Sequence, residues 1–468
     1  MKEEIISCSA GLLILTGAVA KAQEAPKENP NIIFLLVDDL GWRDVGFNGS
    51  CFYETPNLDR LAARSMVFNN AYAACAVSSP TRASLQTGRY PARIGITDWI
   101  RAKFQVKDGI IETPPPYEEN PDRKLKTPSN PYWMDLEEIT TAELLKTRGY
   151  FTCHIGKWHL GPDDYYPEKQ GYDLNIGGSD MGQPVNYFDP YDRDGVSFPN
   201  IKPRREGEHL EDRLSDELVQ VIRQHKDRPF FINMCYYSVH TPLMAKPETV
   251  DRYEAKNRTD DQTNAVYAAM IEHLDDAVGK LVNTLEEEAL MDNTIIIFFS
   301  DNGGLVGPTS NSPLRSGKGY PYEGGIKEPM FVYWKNVIQP GTKCDVPVCS
   351  IDFLPTLCAI TGAALPDRII DGRDISPLFS GRKMKQVPLY WHFPHYRVGD
   401  IVPYSIIRDG NWKLIKWYEG RSFELYNLRK DISESRDLAE SKPSRVKKLN
   451  RKLEEWLVSA EARMPVEK

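Results

Sequence analysis

At 468 residues, with 41% hydrophobic and 26% charged residues, the chain has the composition of a globular protein, not of a disordered or fibrous one. Its length allows one large α/β domain with a smaller partner, or two or three average domains. A formal net charge of -8 argues against nucleic acid as the main partner. It leaves room for an anionic substrate, because a cationic pocket can sit on an acidic protein.

Taken in order, Lys2 precedes an apolar centre from Gly11 to Ala20 and then Ala20-Lys21-Ala22, a small-x-small cleavage pattern. Residues 1–22 therefore read as a secretory signal cut near Ala22. No later run reaches the roughly 18 apolar residues of a membrane span. Of the eight cysteines, Cys8 lies in the leader, and the rest are too sparse for a disulfide scaffold. Cys344 and Cys349 are near enough in sequence to pair.

Asn31 to Val37 is a continuous apolar run ending in Asp38-Asp39, which predicts a strand buried on both faces, as in a parallel sheet. Residues 103–132 are rich in Pro and charge without a period and predict a long surface insertion. A second buried strand is expected at Phe230 to Tyr236. Val266, Met270, Leu274, Val278, Leu281 and Leu285 recur at three or four residues and predict a long amphipathic helix. A third buried strand, Thr294 to Phe299, ends in Ser300-Asp301-Asn302-Gly303-Gly304. Strands alternating with helices imply a largely parallel, doubly covered sheet over residues 23–375. Residues 376–468 predict a small antiparallel sheet from Pro388, Tyr404, Trp412 and Phe423. Its turn is Arg408-Asp409-Gly410-Asn411, and a helix carrying Val446, Leu449, Leu453, Trp456 and Leu457 closes it.

The strand ends hold the chemistry. Ligands in open α/β sheets collect at carboxyl ends of strands. Asp38, Asp39, Asp301 and Asn302 form an all-oxygen set suited to a hard divalent cation, although Asp and Asn also favour turns. A basic set lies in Gly156-Lys157-Trp158-His159-Leu160-Gly161, at His240 after the second strand, and at Lys318 between Gly317 and Gly319. Ser78-Ser79-Pro80-Thr81-Arg82 reads locally as a helix start, with Ser78 as a possible cap and Pro80 in the first turn.

Together these residues resemble the type I, formylglycine-dependent sulfatases of the alkaline-phosphatase-like superfamily. Ser78, Pro80 and Arg82 match the maturation signature Cys/Ser-x-Pro-x-Arg, whereas Cys75 fails it. Leu85-Gln86-Thr87-Gly88-Arg89 follows, with Gln86 inserted. Val37 to Gly41, Gly156 to Gly161, Ser300 to Gly304, Gly317-Lys318-Gly319 and Tyr322-Glu323-Gly324-Gly325 match in family order. The likeness is to carbohydrate sulfatases of the arylsulfatase A and N-acetylgalactosamine-6-sulfatase kind, and within them to serine-type bacterial members.

The resemblance implies hydrolysis of a sulfate ester on a sulfated galactose or N-acetylgalactosamine. Ser78 would be oxidised to formylglycine, whose hydrate attacks sulfur and then expels sulfate. Asp38, Asp39, Asp301 and Asn302 would hold Ca2+ with Ser78 beside it. Arg82 and Lys157 would stabilise the hydrate, and His159 would act as base. His240 and Lys318 would meet the sulfate and the leaving oxygen, with His240 the general acid. A serine at position 78 implies an anaerobic radical sulfatase-maturing enzyme as partner and a periplasmic bacterial setting. Asp180, Gln183, His392 and His395 are candidate sugar contacts. The competing functions are a phosphodiester or phosphonate monoester hydrolase of the same superfamily and a non-catalytic sulfated-glycan-binding protein.

Overall fold

The computed structural model describes residues 29–468 apart from 101–105, 108–109, 112–113, 192–197, 202–205, 259–260 and 398. The expected signal segment at 1–22 lies outside the described residues. The centre is an eight-stranded sheet in the order Thr342–Cys344, Met66–Phe68, Phe331–Trp334, Thr294–Ser300, Asn31–Val37, Phe230–Cys235, Phe151–Gly156, Leu174–Ile176. Phe331–Trp334 runs against its two neighbours, and the other pairings are parallel.

The three apolar runs expected as strands are the middle of this sheet, and each is buried on both faces. Side chains alternate along a strand, so Asn31–Val37 feeds two cores. Ile33, Leu35 and Val37 pack with Ile271, Leu274 and Val278 of the helix Ala265–Glu287. Ile32, Phe34 and Leu36 pack with Ala83 and Leu85 of the helix Ser78–Thr87 and with Phe353 and Leu357 of the helix Phe353–Thr361. Burying each large apolar side chain contributes about 1.5–3 kcal/mol. A continuous apolar run is therefore what a strand covered on both sides requires.

Leu378 and Phe379 still pack into the second of these cores. The C-terminal antiparallel sheet then runs Leu389–Phe393, Tyr404–Asp409, Trp412–Trp417, Phe423–Asn427, each strand beside the next. Asp409 pairs with Trp412, which leaves Gly410 and Asn411 as the turn, with Gly410 at φ +61°. The helix Pro443–Ser459 lays Leu449, Leu453, Trp456 and Leu457 on this sheet, and Trp456 stacks on Tyr390.

One expectation gains detail, and one pairing that the spacing left open is decided. The 103–132 insertion carries short paired strands, Val106–Lys107 with Ile110–Ile111 and Tyr117–Glu118 with Leu125–Pro128. Val466–Glu467 joins the second of these pairs. Cys344 and Cys349 are free, because one ends a strand of the main sheet and the other lies in a separate three-stranded sheet. Among the described residues, no helix is long and apolar enough to cross a membrane.

Candidate active site

The parallel strands bring their carboxyl ends to one place. Asp38 and Asp39 follow Asn31–Val37, Asp301 and Asn302 follow Thr294–Ser300, Lys157 follows Phe151–Gly156, and His240 lies beyond Phe230–Cys235. The helix Ser78–Thr87 points its N-terminus into this cluster. Val77 caps it without a side-chain bond, so Ser78 is not the cap, and its hydroxyl is free to face the strand ends. Pro80 is tolerated because first-turn N–H groups have no helical partner. At the other end Gly88, at φ +68°, donates to Ser84 O and closes the helix.

Ser78 Oγ lies 3.3 Å from Asp38 Oδ1 and 3.2 Å from Asn302 Oδ1, and Lys157 Nζ donates to it at 3.2 Å. Lys157 Nζ also holds Asp38 Oδ2 at 2.7 Å. Arg82 grips Asp301 Oδ2 through Nε at 2.9 Å and Nη2 at 2.8 Å, and anchors itself on Lys157 O. Asp301 is thus committed to Arg82, and Asp38 is the carboxylate in contact with Ser78. Asn302 Nδ2 donates to Asp39 Oδ1 at 2.8 Å, and Lys318 Nζ donates to Asp39 Oδ2 at 2.8 Å. His240 Nε2 is 3.6 Å from the same Asp39 oxygen.

Glycine serves close approach here. A Cβ on Gly303 would stand 1.8 Å from Gly324 O, which holds the Asp301-Asn302 turn against the Lys318 loop. Asp38, Asp301 and Asn302 are fully buried, whereas the side chains of Lys318 and His240 keep 10% and 12% exposure. The cluster therefore opens on the His240 and Lys318 side.

Three carboxylates face three cations, so the protein groups roughly cancel. The balance is uneven in detail. Burial pushes Asp38 up to about 7; Lys157 opposes it, while Asp301 and Asp39 add to it. Burial also raises Asp39, yet Lys318, His240 and Lys157 outweigh it and hold this carboxyl well below the usual range. Burial likewise works against Asp301, which Arg82 and Lys157 keep low.

The crowded oxygens fit a hard divalent cation, which would relieve the repulsion that raises Asp38. Asp38 Oδ1 and Asn302 Oδ1 lie within 3.3 Å of Ser78 Oγ. Asp38, Asp39 and His240 also lie close enough to share one ion. An added dication would leave the site net positive, which suits an anionic ester.

The two histidines differ. His159, at φ +61°, faces Ile100 O with Nε2 at 3.0 Å, so Nε2 carries the proton, and its buried Nδ1 has no hydrogen-bond partner among the described residues. Burial and then Lys157 and Arg82 hold its pKa well below the ordinary value, so the ring is neutral with an accepting Nδ1. His240 Nδ1 meets Thr241 O at 2.8 Å. Burial and Lys318 push His240 down to about 3. The expectation of a near-neutral acid at His240 is therefore altered: the ring is neutral until an anion offsets its surroundings.

The sugar-contact candidates divide. His159 N–H donates to Ser179 O, and a Cβ on Gly182 would lie 2.7 Å from His159 Nε2. The loop carrying half-buried Asp180 and exposed Gln183 therefore adjoins the site. His395 Nε2 bonds Thr97 Oγ1 at 2.8 Å, on the segment leading to Ile100. His392 is not brought to the site. Its ring is buried in the C-terminal sheet, with both nitrogens engaged by Ser405 Oγ and Arg463 O.

Sequence reasoning also missed a supporting network. Lys413 is fully buried between Glu323 at 3.0 Å and Glu434 at 2.9 Å, and Tyr72 OH donates to Glu323 at 2.7 Å. Glu434 accepts from Glu323 N–H at 2.6 Å. These groups bind the C-terminal sheet to the turn that supports Lys318. No spacing in the sequence marks Lys413 or Glu434.

With this geometry in view, residues 30–363 match the family model described as Sulfatase, and residues 317–463 match that of the N-sulphoglucosamine sulphohydrolase C-terminal region. A Formosa agariphila protein named Sulfatase is 32% identical over 96% of this chain and 93% of its own length. Human N-acetylgalactosamine-6-sulfatase is 32% identical over 79% of this chain and 69% of its own. The crystal structure of Ps i-CgsB in complex with k-i-k-neocarrahexaose superposes with TM-score 0.77 at 32% identity, covering 92% of this chain and 93% of that one.

Proposed function

The chain belongs to the sulfatase family and is a sulfatase, and from that premise we propose that it hydrolyses a sulfate ester on a carbohydrate, a sulfated galactose or N-acetylgalactosamine. The observation that carries this reading is Ser78 itself. Its hydroxyl stands at the buried helix start where Asp38, Asn302 and Lys157 converge. The sugar class draws support from the relative named N-acetylgalactosamine-6-sulfatase and from the neighbour solved in complex with k-i-k-neocarrahexaose.

A plain serine ester of sulfuric acid has no neighbouring group to expel the sulfate. Oxidation of Ser78 to formylglycine supplies one, as a hydrated aldehyde with two hydroxyls on one carbon. Asp38, Asp39, Asp301 and Asn302 would hold calcium, which would supply positive charge at the ester's oxygens. Lys157 donates toward the position-78 oxygen and stabilises negative charge there, while Asp38 accepts at the same atom. Arg82 fixes Asp301 and, through Lys157 O, the loop that carries Lys157. Lys318 and His240 line the open side, where they meet the sulfate and the departing alcohol. An anionic ester raises the His240 pKa, so proton donation from Nε2 follows binding. His159 Nδ1 can accept a proton inside the site. Most of this is fixed charge aimed at charge that develops during reaction.

Conversion of a serine points to an oxygen-independent radical maturase, acting before export to a bacterial periplasm. The test combines mass spectrometry of the Ser78 peptide with turnover. A loss of about two mass units is expected from removal of two hydrogens. Turnover should favour 4-nitrophenyl sulfate over bis(4-nitrophenyl) phosphate and vanish in S78A. An unmodified peptide in active enzyme, or preference for the phosphate diester, would refute the reading.

A further inference from the structure

Beyond the groups used so far, the rim of the site carries a cation without an assigned task. Arg397 lies in the loop after the Leu389–Phe393 strand. A Cβ added at Gly319 would come within 2.4 Å of its Nε and 3.1 Å of its Cζ, so the guanidinium lies against the residue that follows Lys318. Gly319 N–H donates to Ala76 O at 2.7 Å, on the segment that leads into Ser78. The His395–Thr97 bond ties the same loop to the strand of chain whose Ile100 O meets His159. Contacts thus link four segments beside the site: 97–100, 179–183, 317–320 and 395–397.

The charge on Arg397 is uncommitted in a way that the other cations are not. Lys157, Arg82 and Lys318 each hold a carboxylate within 2.8 Å. Arg397 Nη1 is buried and makes no hydrogen bond among the described residues. A guanidinium cannot shed its proton, and a desolvated donor left unpaired is costly. Asp98, on the same wall, accepts from Trp99 N–H and is engaged in its own contacts. The Arg397 charge is felt inward as well. Burial pushes the Cys75 thiol up to about 12, and Arg397 is among the groups that oppose it.

We propose that Arg397 is a specificity residue that binds a second anionic group of the substrate, a sulfate or a carboxylate near the scissile ester. This rests on the carbohydrate-sulfatase reading above. The planar fork of arginine accepts two oxygens of either anion at once. Lys318 and His240 meet the first sulfate on the adjoining wall, so the second anion sits one sugar position or less away. The chain is then tuned to doubly anionic saccharides.

The test uses full-length enzyme whose position 78 is confirmed oxidised, with R397A, R397Q and R397K beside the wild type. Three substrates are compared: a monosulfated digalactoside, a disulfated digalactoside, and a monosulfated disaccharide containing a hexuronate. For the dianionic substrate that fits, R397A and R397Q should lose about ten- to a hundredfold in kcat/KM, the range for hydrogen bonds to charged groups. The loss should fall mainly on KM, R397K should recover part of it, and the monosulfated substrate should lose far less. The disulfated and hexuronate arms tell which anion is read. Equal losses on all three substrates, or none on any, would overturn the proposal. Wild-type enzyme inert on all three would instead overturn the carbohydrate-sulfatase reading. Should R397A fold poorly, R397Q keeps the bulk and carries the comparison.

Discussion

Replacing Lys413 by Met keeps an unbranched side chain one atom shorter and removes a charge that is wholly buried between Glu323 and Glu434. The paired carboxylates are then left without their cation. Breaking a buried ion pair in this way costs about 3–5 kcal/mol. With an unfolding entropy of about 2.1 cal/mol/K per residue, the whole chain gains about 1 kcal/mol/K on unfolding, so Tm should fall by about 3–5 °C. The loss should depend on pH, and its sign follows from Glu434. Burial pushes that carboxyl up to about 7; Lys413 opposes the rise and Glu323 adds to it. A carboxyl raised in the folded state favours folding below its unfolded value and loses that contribution as pH rises through about 7. Without Lys413 the Glu434 carboxyl rises further, so at pH 5.5 it folds protonated and K413M strands Glu323 alone, whereas at pH 8 the variant must also take up a proton at Glu434 or bury a second uncompensated carboxylate. Thermal unfolding followed by circular dichroism at both pH values should therefore show the larger drop at pH 8. A drop below about 1 °C at pH 8, or equal drops at the two pH values, would refute this account of the network.

Two further outcomes follow from the site. Removing divalent cations with EDTA should abolish turnover, and calcium should restore it and raise Tm, since a ligand at a hundred times its Kd adds about 2.7 kcal/mol. Asp39→Asn should cancel that rise, and a wild-type Tm indifferent to calcium would count against the metal set. His240→Gln should lower kcat by about 10²–10⁴ on a sugar sulfate, whose alcohol needs a proton to leave. On 4-nitrophenyl sulfate, with its good leaving group, the loss should be much smaller, and equal losses would remove His240 from the acid role.

The buried strands were legible because a parallel strand covered on both faces must be apolar at every position. Asn31–Val37, Phe230–Cys235 and Thr294–Ser300 show this pattern without interruption. The cluster at their ends was legible for the same reason: polar residues that directly follow such runs must meet where parallel strands end together. What the pattern could not show is which partner each group takes. Asp38 and Asp301 both read as members of the set beside Ser78, yet Arg82, one turn along the same helix, claims Asp301 and leaves Asp38 in contact. His392 and His395 stand three residues apart around one strand end. One is sealed inside the C-terminal sheet and the other reaches Thr97 at the rim, a difference set by packing between segments about 300 residues apart. Lys413 was least legible of all. Lysine in an antiparallel strand ordinarily reads as a solvent-facing residue, and only the docking of that sheet on the turn at Glu323 makes it a buried cation. The residues that hold Lys318 in place are thus legible from the three-dimensional contact between two sheets and not from either segment alone.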